Sequence, residues 1–171
     1  MKVRKTNNPS AAAAWEYALK ILTRRQQSEQ EMRWKLQAKG FPGEVVAATL
    51  NRLKDAGLLD DASFAREWAT YRLATHPVGP RRLRRELQEH GVAPSLAEGI
   101  AGDMFPPEAE LAAARELAGK YHRRQGETAD HYYQRLARFL WQRGFNGYVV
   151  RQVLGELAKE DNYIDSNHLN L

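Results

Sequence analysis

One short block, repeated three times, constrains this chain more than any other feature. Leu36-Gln37-Ala38-Lys39-Gly40-Phe41 returns as Leu87-Gln88-Glu89-His90-Gly91-Val92 and again as Leu140-Trp141-Gln142-Arg143-Gly144-Phe145, at offsets of 51 and 53 residues. In each copy a Leu on the buried face ends a helix, a Gly takes the left-handed cap, and an apolar residue packs back as the chain turns. Four residues beyond each block, Val45, Leu96 and Val149 begin a new apolar stripe. A helix–glycine–helix unit repeated at this period predicts stacked helical modules, each too small to bury a core alone. Such a stack is elongated or curved, and its long surface suits an extended partner such as a filament or a duplex. Neighbouring modules share few contacts, so the junctions at Asp60–Asp61 and Met104–Glu108 are expected to bend.

The remainder of the chain reads as helices around these blocks. Trp15, Ala18, Leu19 and Leu22 form one stripe at helical spacing. Ser28 and Glu31 make a capping box ahead of Met32 and Leu36, and Asp60 or Asp61 caps the helix carrying Phe64, Trp68 and Tyr71. Pro80 and Pro94 suit first helical positions, and Phe105-Pro106-Pro107 ends a helix. No run alternates with the period of a strand. The expectation is an all-α chain of about nine helices in three tandem three-helix repeats, at 11–57, 60–105 and 107–158. Residues 159–171 read as a polar tail whose composition suits disorder.

Composition narrows the function classes. There is no cysteine among the 171 residues, which excludes disulfides, thiolate metal sites and cysteine nucleophiles. The longest apolar run, Ala11 to Trp15, is far too short for a membrane span, and the basic start lacks the apolar stretch of a secretory signal. A soluble, cytoplasmic monomer is expected. Lys plus Arg number 26 against 21 Asp plus Glu, and the excess is uneven. Eight cations against three acids lie between Arg115 and Arg151, and six Arg against three Glu between Arg66 and Glu89. Such faces attract nucleic acid through counterion release, or meet an acidic protein surface.

Catalytic motifs are missing. No phosphate loop or dinucleotide fingerprint is present, and the five His residues show no metal-ligand spacing, so neither cofactor nor metal is expected. Asp60-Asp61 resembles a metal-binding acid pair, but adjacent helical positions point apart, and capping is the simpler role. Ser28 has a capping partner in Glu31 and is no nucleophile. A non-enzyme is expected.

At this point the residues resemble a known family. The run Ser28-Glu29-Gln30-Glu31-Met32-Arg33-Trp34-Lys35-Leu36 is similar to a signature of the bacterial RecX regulatory proteins. So is the stretch Gly57-Leu58-Leu59-Asp60-Asp61, then Phe64-Ala65, Gly79-Pro80 and Arg81-Arg82-Leu83-Arg84-Arg85-Glu86-Leu87, ending at Gly91-Val92. Phe139 to Phe145 fits the family's final module, and the likeness spans about residues 14 to 158. The resemblance implies three tandem three-helix repeats in an elongated, curved molecule. It also implies a modulator, usually an inhibitor, of the RecA recombinase that lodges in the groove of the RecA–DNA filament. It brings no catalytic residue.

The candidate contact surface follows from helical spacing. Arg81, Arg84 and Arg85 share one side of a helix whose other side carries Leu83 and Leu87, and their mutual repulsion suggests a function that compensates it. Arg135, Arg138, Arg143 and Arg151 are expected to give a similar face in the third module. Trp15, Trp68, Tyr71, Tyr121 and Phe139 are assigned to the core, and Trp34 and Trp141 to module junctions. The competing function is a sequence-specific transcriptional regulator, with Gly40-Phe41-Pro42 as the turn of a helix-turn-helix pair. The helix from Val45 to Leu53 offers only Asn51 and Arg52 to base edges, which is poor for that purpose.

Overall fold

The computed structural model describes residues 10–168, with side chains at 10–106 and 108–159. Among these residues there are nine α-helices and no strand: α1 (Ala11–Leu22), α2 (Glu29–Ala38), α3 (Gly43–Asp55), α4 (Asp61–Thr75), α5 (Pro80–Glu89), α6 (Pro94–Met104), α7 (Pro107–Gly119), α8 (Ala129–Arg143) and α9 (Gly147–His168). None of the described helices is long and apolar enough to cross a membrane.

Local chemistry sets the starts and stops. Ser10, Ser28, Asp60 and Thr128 each accept a backbone N–H of the helix they open. Pro80, Pro94 and Pro107 stand at first helical positions, where a missing N–H costs nothing. The repeated block forms the same C-terminal motif three times. Gly40, Gly91 and Gly144 have φ of 93°, 83° and 92°. The residue after each glycine donates back to the Leu carbonyl five positions earlier: Phe41 to Leu36 at 3.2 Å, Val92 to Leu87 at 3.1 Å and Phe145 to Leu140 at 3.2 Å. This is the six-to-one bond of a Schellman cap, and it folds the apolar residue onto the core.

Each trio of helices closes its own core, and the three cores share no residue. Met32, Leu36, Leu50 and Leu53 anchor the first, Phe64, Leu83, Leu87 and Ile100 the second, and Leu136, Leu140, Phe145 and Val153 the third. The fold is therefore all-α with three three-helix repeats.

Three expectations are corrected. Tyr71 is 69% exposed, because at this point of α4 it is Arg72 and Leu73 that turn toward α5 and the core, which leaves Tyr71 on the outer side. α9 continues through 159–168, much of the expected tail, since no Gly or Pro after Gly155 stops it; residues 169–171 lie outside the described residues. Only half of the capping box at Ser28 forms. The Ser28 hydroxyl accepts from Glu31 N–H at 3.0 Å, but the Glu31 carboxylate turns away to Arg25 and His90.

That diversion belongs to the joint between repeats. At the first joint the Ser28 hydroxyl, the N-cap of α2, donates to the carbonyl of His90 at 2.5 Å. At the second, the backbone N–H of Gly79, the N-cap of α5, donates to the carbonyl of Arg143 at 2.7 Å. His90 and Arg143 each immediately precede a capping glycine. The middle helices thus meet head to tail in the spatial order α8, α5, α2, with each carbonyl end against the next helix's positive end. Side bonds reinforce both joints. Glu29 N–H donates to Asp61 at 2.7 Å and Gln26 donates to Glu67 at 2.7 Å across the first, while Arg81 N–H donates to Gly144 O at 3.2 Å across the second. Burial pushes the Asp61 carboxyl above its ordinary range despite the bond from Glu29.

Candidate functional site

The second joint carries the arginine face. Pro80 opens α5, so Arg81 and Arg82 occupy its first turn, where a cation opposes the helix dipole by a few tenths of a kcal/mol. The carbonyl end of α8 abuts this turn and offsets the opposition. Arg81, Arg82, Arg84 and Arg85 line a concavity of about 280 Å³ together with Trp141 and Gln142 at the end of α8. The Arg81 guanidinium sits 5.0 Å from the centre of the Trp141 ring, a cation–π geometry. Trp141 remains 50% exposed, so its ring both seals the joint and presents a flat aromatic surface.

The arginines of this face differ in how far their charge is already engaged. Arg82 bonds Glu86 at 2.7 Å, and Glu86 also takes Arg72 at 2.7 Å. Burial disfavours the Glu86 charge, yet the bonds from Arg72 and Arg82 prevail and hold its pKa below the usual carboxylate range. Arg84 pairs with Glu98, and Arg85 pairs with Glu89 at 3.4 Å. Arg84 is partly covered and Arg85 is exposed, with an exposed Glu partner in each case, so these pairs exchange readily for a partner's anions. Arg81 has no carboxylate partner among the described residues.

The third repeat divides its expected arginines between two tasks. Arg143 donates to the Pro77 carbonyl at 3.2 Å and lies 5.0 Å from the Phe139 ring, which makes it a tie across the joint. Arg135 bonds Glu127 through two nitrogens at 2.8 and 2.7 Å, donates to His122 O at 3.0 Å, and packs on Tyr121 at 4.5 Å. The Arg135 bond, helped by Arg124 N–H, holds the Glu127 carboxyl at about 2. Arg135 is thereby committed to bracing the loop between α7 and α8. Arg138 and Arg151 are exposed and form no ion pair among the described residues. A Cβ placed on Gly147 would touch both Arg151 Nη1 and Trp141 at 3.4 Å, so Arg151 lies beside the Trp141 end of the concavity. Trp34, the other aromatic assigned to a junction, is 49% exposed on α2.

Comparisons with known proteins match every repeat in order. The family described as RecX, first three-helix domain, matches residues 14–53; the second three-helix domain matches 60–99, and the third matches 108–154. The chain belongs to the RecX family. Among RecX relatives, the "Regulatory protein RecX" of Prosthecochloris aestuarii is 36% identical over 140 residues, covering 82% of this chain and 90% of that protein. The protein of the same name from Mycobacterium marinum is 34% identical over 160 residues, covering 91% of each chain. The crystal structure of RecX from Lactobacillus salivarius superposes with a TM-score of 0.78 over 86% of this chain and 96% of that one, at 19% identity, and so supports the fold. A second crystal structure of a regulatory protein RecX gives 0.76 at 26% identity, over 84% of this chain and 70% of that one. RecX is a family of regulatory proteins, and the expected family is the one found.

Proposed function

We propose that this RecX chain binds the RecA–DNA filament as a monomer and inhibits the recombinase, thereby modulating recombination, DNA repair and the SOS response in the cytoplasm. The observation that carries the reading is the match of all three RecX domains, in order, along 14–154. The face of Arg81, Arg84, Arg85 and Trp141 supplies what a filament contact needs: one cation without a carboxylate partner among the described residues and two paired with exposed Glu, beside a half-exposed aromatic. Arg138 and Arg151 extend it. The competing reading, a sequence-specific transcriptional regulator, is weakened by α3, whose Arg52 stacks on Trp15 at 3.9 Å and leaves Asn51 alone among the two candidate base readers.

The test is to titrate the protein into DNA-stimulated RecA ATPase and strand-exchange reactions, with a gel shift on DNA alone in parallel. Inhibition at protein well below the RecA concentration, with weak salt-sensitive DNA binding, supports a filament regulator. No effect on RecA, with tight sequence-selective duplex binding, overturns it.

A further inference from the structure

The first repeat holds a second cationic surface, away from the arginine face of α5. A groove of about 610 Å³ runs between α1 and α2, and its charged lining consists of Lys20, Arg24, Arg25, Lys35 and Lys39, without a carboxylate. Tyr17 forms one wall, with Lys39 Nζ 5.6 Å from its ring centre. The groove is built as well as charged. Gln27, only 2% exposed, accepts from Lys35 Nζ at 2.5 Å and donates to Arg25 O at 3.2 Å, which fixes the lysine at the groove floor.

Its positive charge is largely uncompensated. Arg25 spends its guanidinium on Glu31, at 3.0 and 3.2 Å, while Lys20, Arg24, Lys35 and Lys39 form no ion pair among the described residues. Burial and the neighbouring Arg25 charge draw the Lys35 ammonium below the usual lysine range. Cations crowded in a concavity focus a positive potential, and the group that relieves them is a polyanion. The groove is lined by α1, α2 and the linker between them and contains no strand, so it offers no sheet edge to an extended acidic peptide. Side-chain cations spread from the last turn of α1 through the linker to the end of α2 match the repeated charge of a phosphate chain.

We propose that the groove between α1 and α2 is a phosphate-binding site that seats a phosphodiester backbone through Lys20, Arg24, Lys35 and Lys39. The site acts without RecA and is independent of the filament reading.

The experiment measures anisotropy of a labelled short oligothymidylate with the full chain and no RecA, across a salt series. In the triple variant Lys20→Gln, Arg24→Gln, Lys35→Gln, affinity falls by roughly tenfold to a hundredfold near 0.1 M salt. The log–log salt slope falls by about 2, from about 0.7 per phosphate contact. The double variant Lys20→Gln, Arg24→Gln alters only exposed side chains, one in the last turn of α1 and one just beyond it, so it shows a smaller loss with the melting curve unchanged. Inorganic tripolyphosphate displaces the oligonucleotide from the parent chain, which separates free oligophosphate from nucleic acid as sources of the same chemistry. Unchanged affinity in both variants overturns the site. So does displacement by polyglutamate as effective as by tripolyphosphate, or a loss of binding confined to Arg81→Gln and Arg138→Gln.

Discussion

Gly91, just past the end of α5, and Gln30 of α2 approach so closely across the first joint that a Cβ on Gly91 would fall 2.2 Å from the Gln30 Cβ. The equivalent Gly144 faces Arg82 in the same way, at 2.5 Å, whereas Gly40 at the free end of the first repeat has nothing within 4 Å. All three are left-handed, so replacing any of them by Ala incurs about 1–2 kcal/mol of backbone strain. Gly91→Ala and Gly144→Ala add an overpacking cost of about 1–3 kcal/mol, which Gly40→Ala escapes. Urea unfolding of the three variants is expected to rank Gly40→Ala as the mildest. Equal losses at all three positions would contradict the docking role of the caps.

The Glu31 carboxylate gives the first joint a pH dependence. Burial opposes its ionisation, but the bonds from His90 at 2.8 Å and from Arg25 prevail and hold its pKa at about 2. The folded-state value lies below the unfolded one, so the unfolded chain takes up the proton first and acid favours unfolding. The contribution, roughly 3 kcal/mol, is complete above about pH 5 and is lost as the pH falls toward 2. Glu31→Gln is expected to be less stable than the parent at pH 7, with the difference closing in acid. A gap that is as wide at pH 3 as at pH 7 shows that Glu31 acts through packing alone.

Charge reversal on α5 separates binding from folding. Arg81→Glu, Arg84→Glu and Arg85→Glu together are expected to weaken binding to the RecA–DNA filament by at least about tenfold while far-ultraviolet dichroism is unchanged, because none of the three side chains is fully buried. Filament affinity equal to that of the parent would place the contact elsewhere.

Arg135→Ala is expected to do the opposite. Its guanidinium joins Glu127, the His122 carbonyl and the Tyr121 ring, so its removal frees the loop between α7 and α8 and lowers the melting temperature. Hydrogen exchange at 121–128 should quicken, with filament affinity retained. An unchanged loop, with affinity lost, returns Arg135 to the contact surface.

The sequence made the repeat legible because its signal is local. The Leu, Gly and apolar residue of each block are bound to one another within six positions, so spacing alone predicts the cap and hence the fold. The site was legible only as far as helical spacing reaches. Arg81, Arg84 and Arg85 come out on one face, as spacing requires. Arg135 has its partner eight residues away across a turn, where no helical rule applies, and so its bracing role was invisible. Lys20 with Arg24 and Lys35 with Lys39, each four residues apart at the end of successive helices, were in plain view, yet only the packing of α1 against α2 shows that they face one groove. Tyr71 keeps the period of Phe64 and Trp68, yet the inward positions at this end of α4 are those of Arg72 and Leu73, a shift that spacing does not show.

Because α8, α5 and α2 join carbonyl end to amide end, the three-repeat array has unlike extremities. One closes on the Gly40 cap, where helix carbonyls face outward with no repeat beyond them, and the other opens on Thr128, where helix N–H groups do. A strip with a front and a back lies on a directional lattice in one sense only: turned end for end, its carbonyl extremity would fall where its amide extremity belongs.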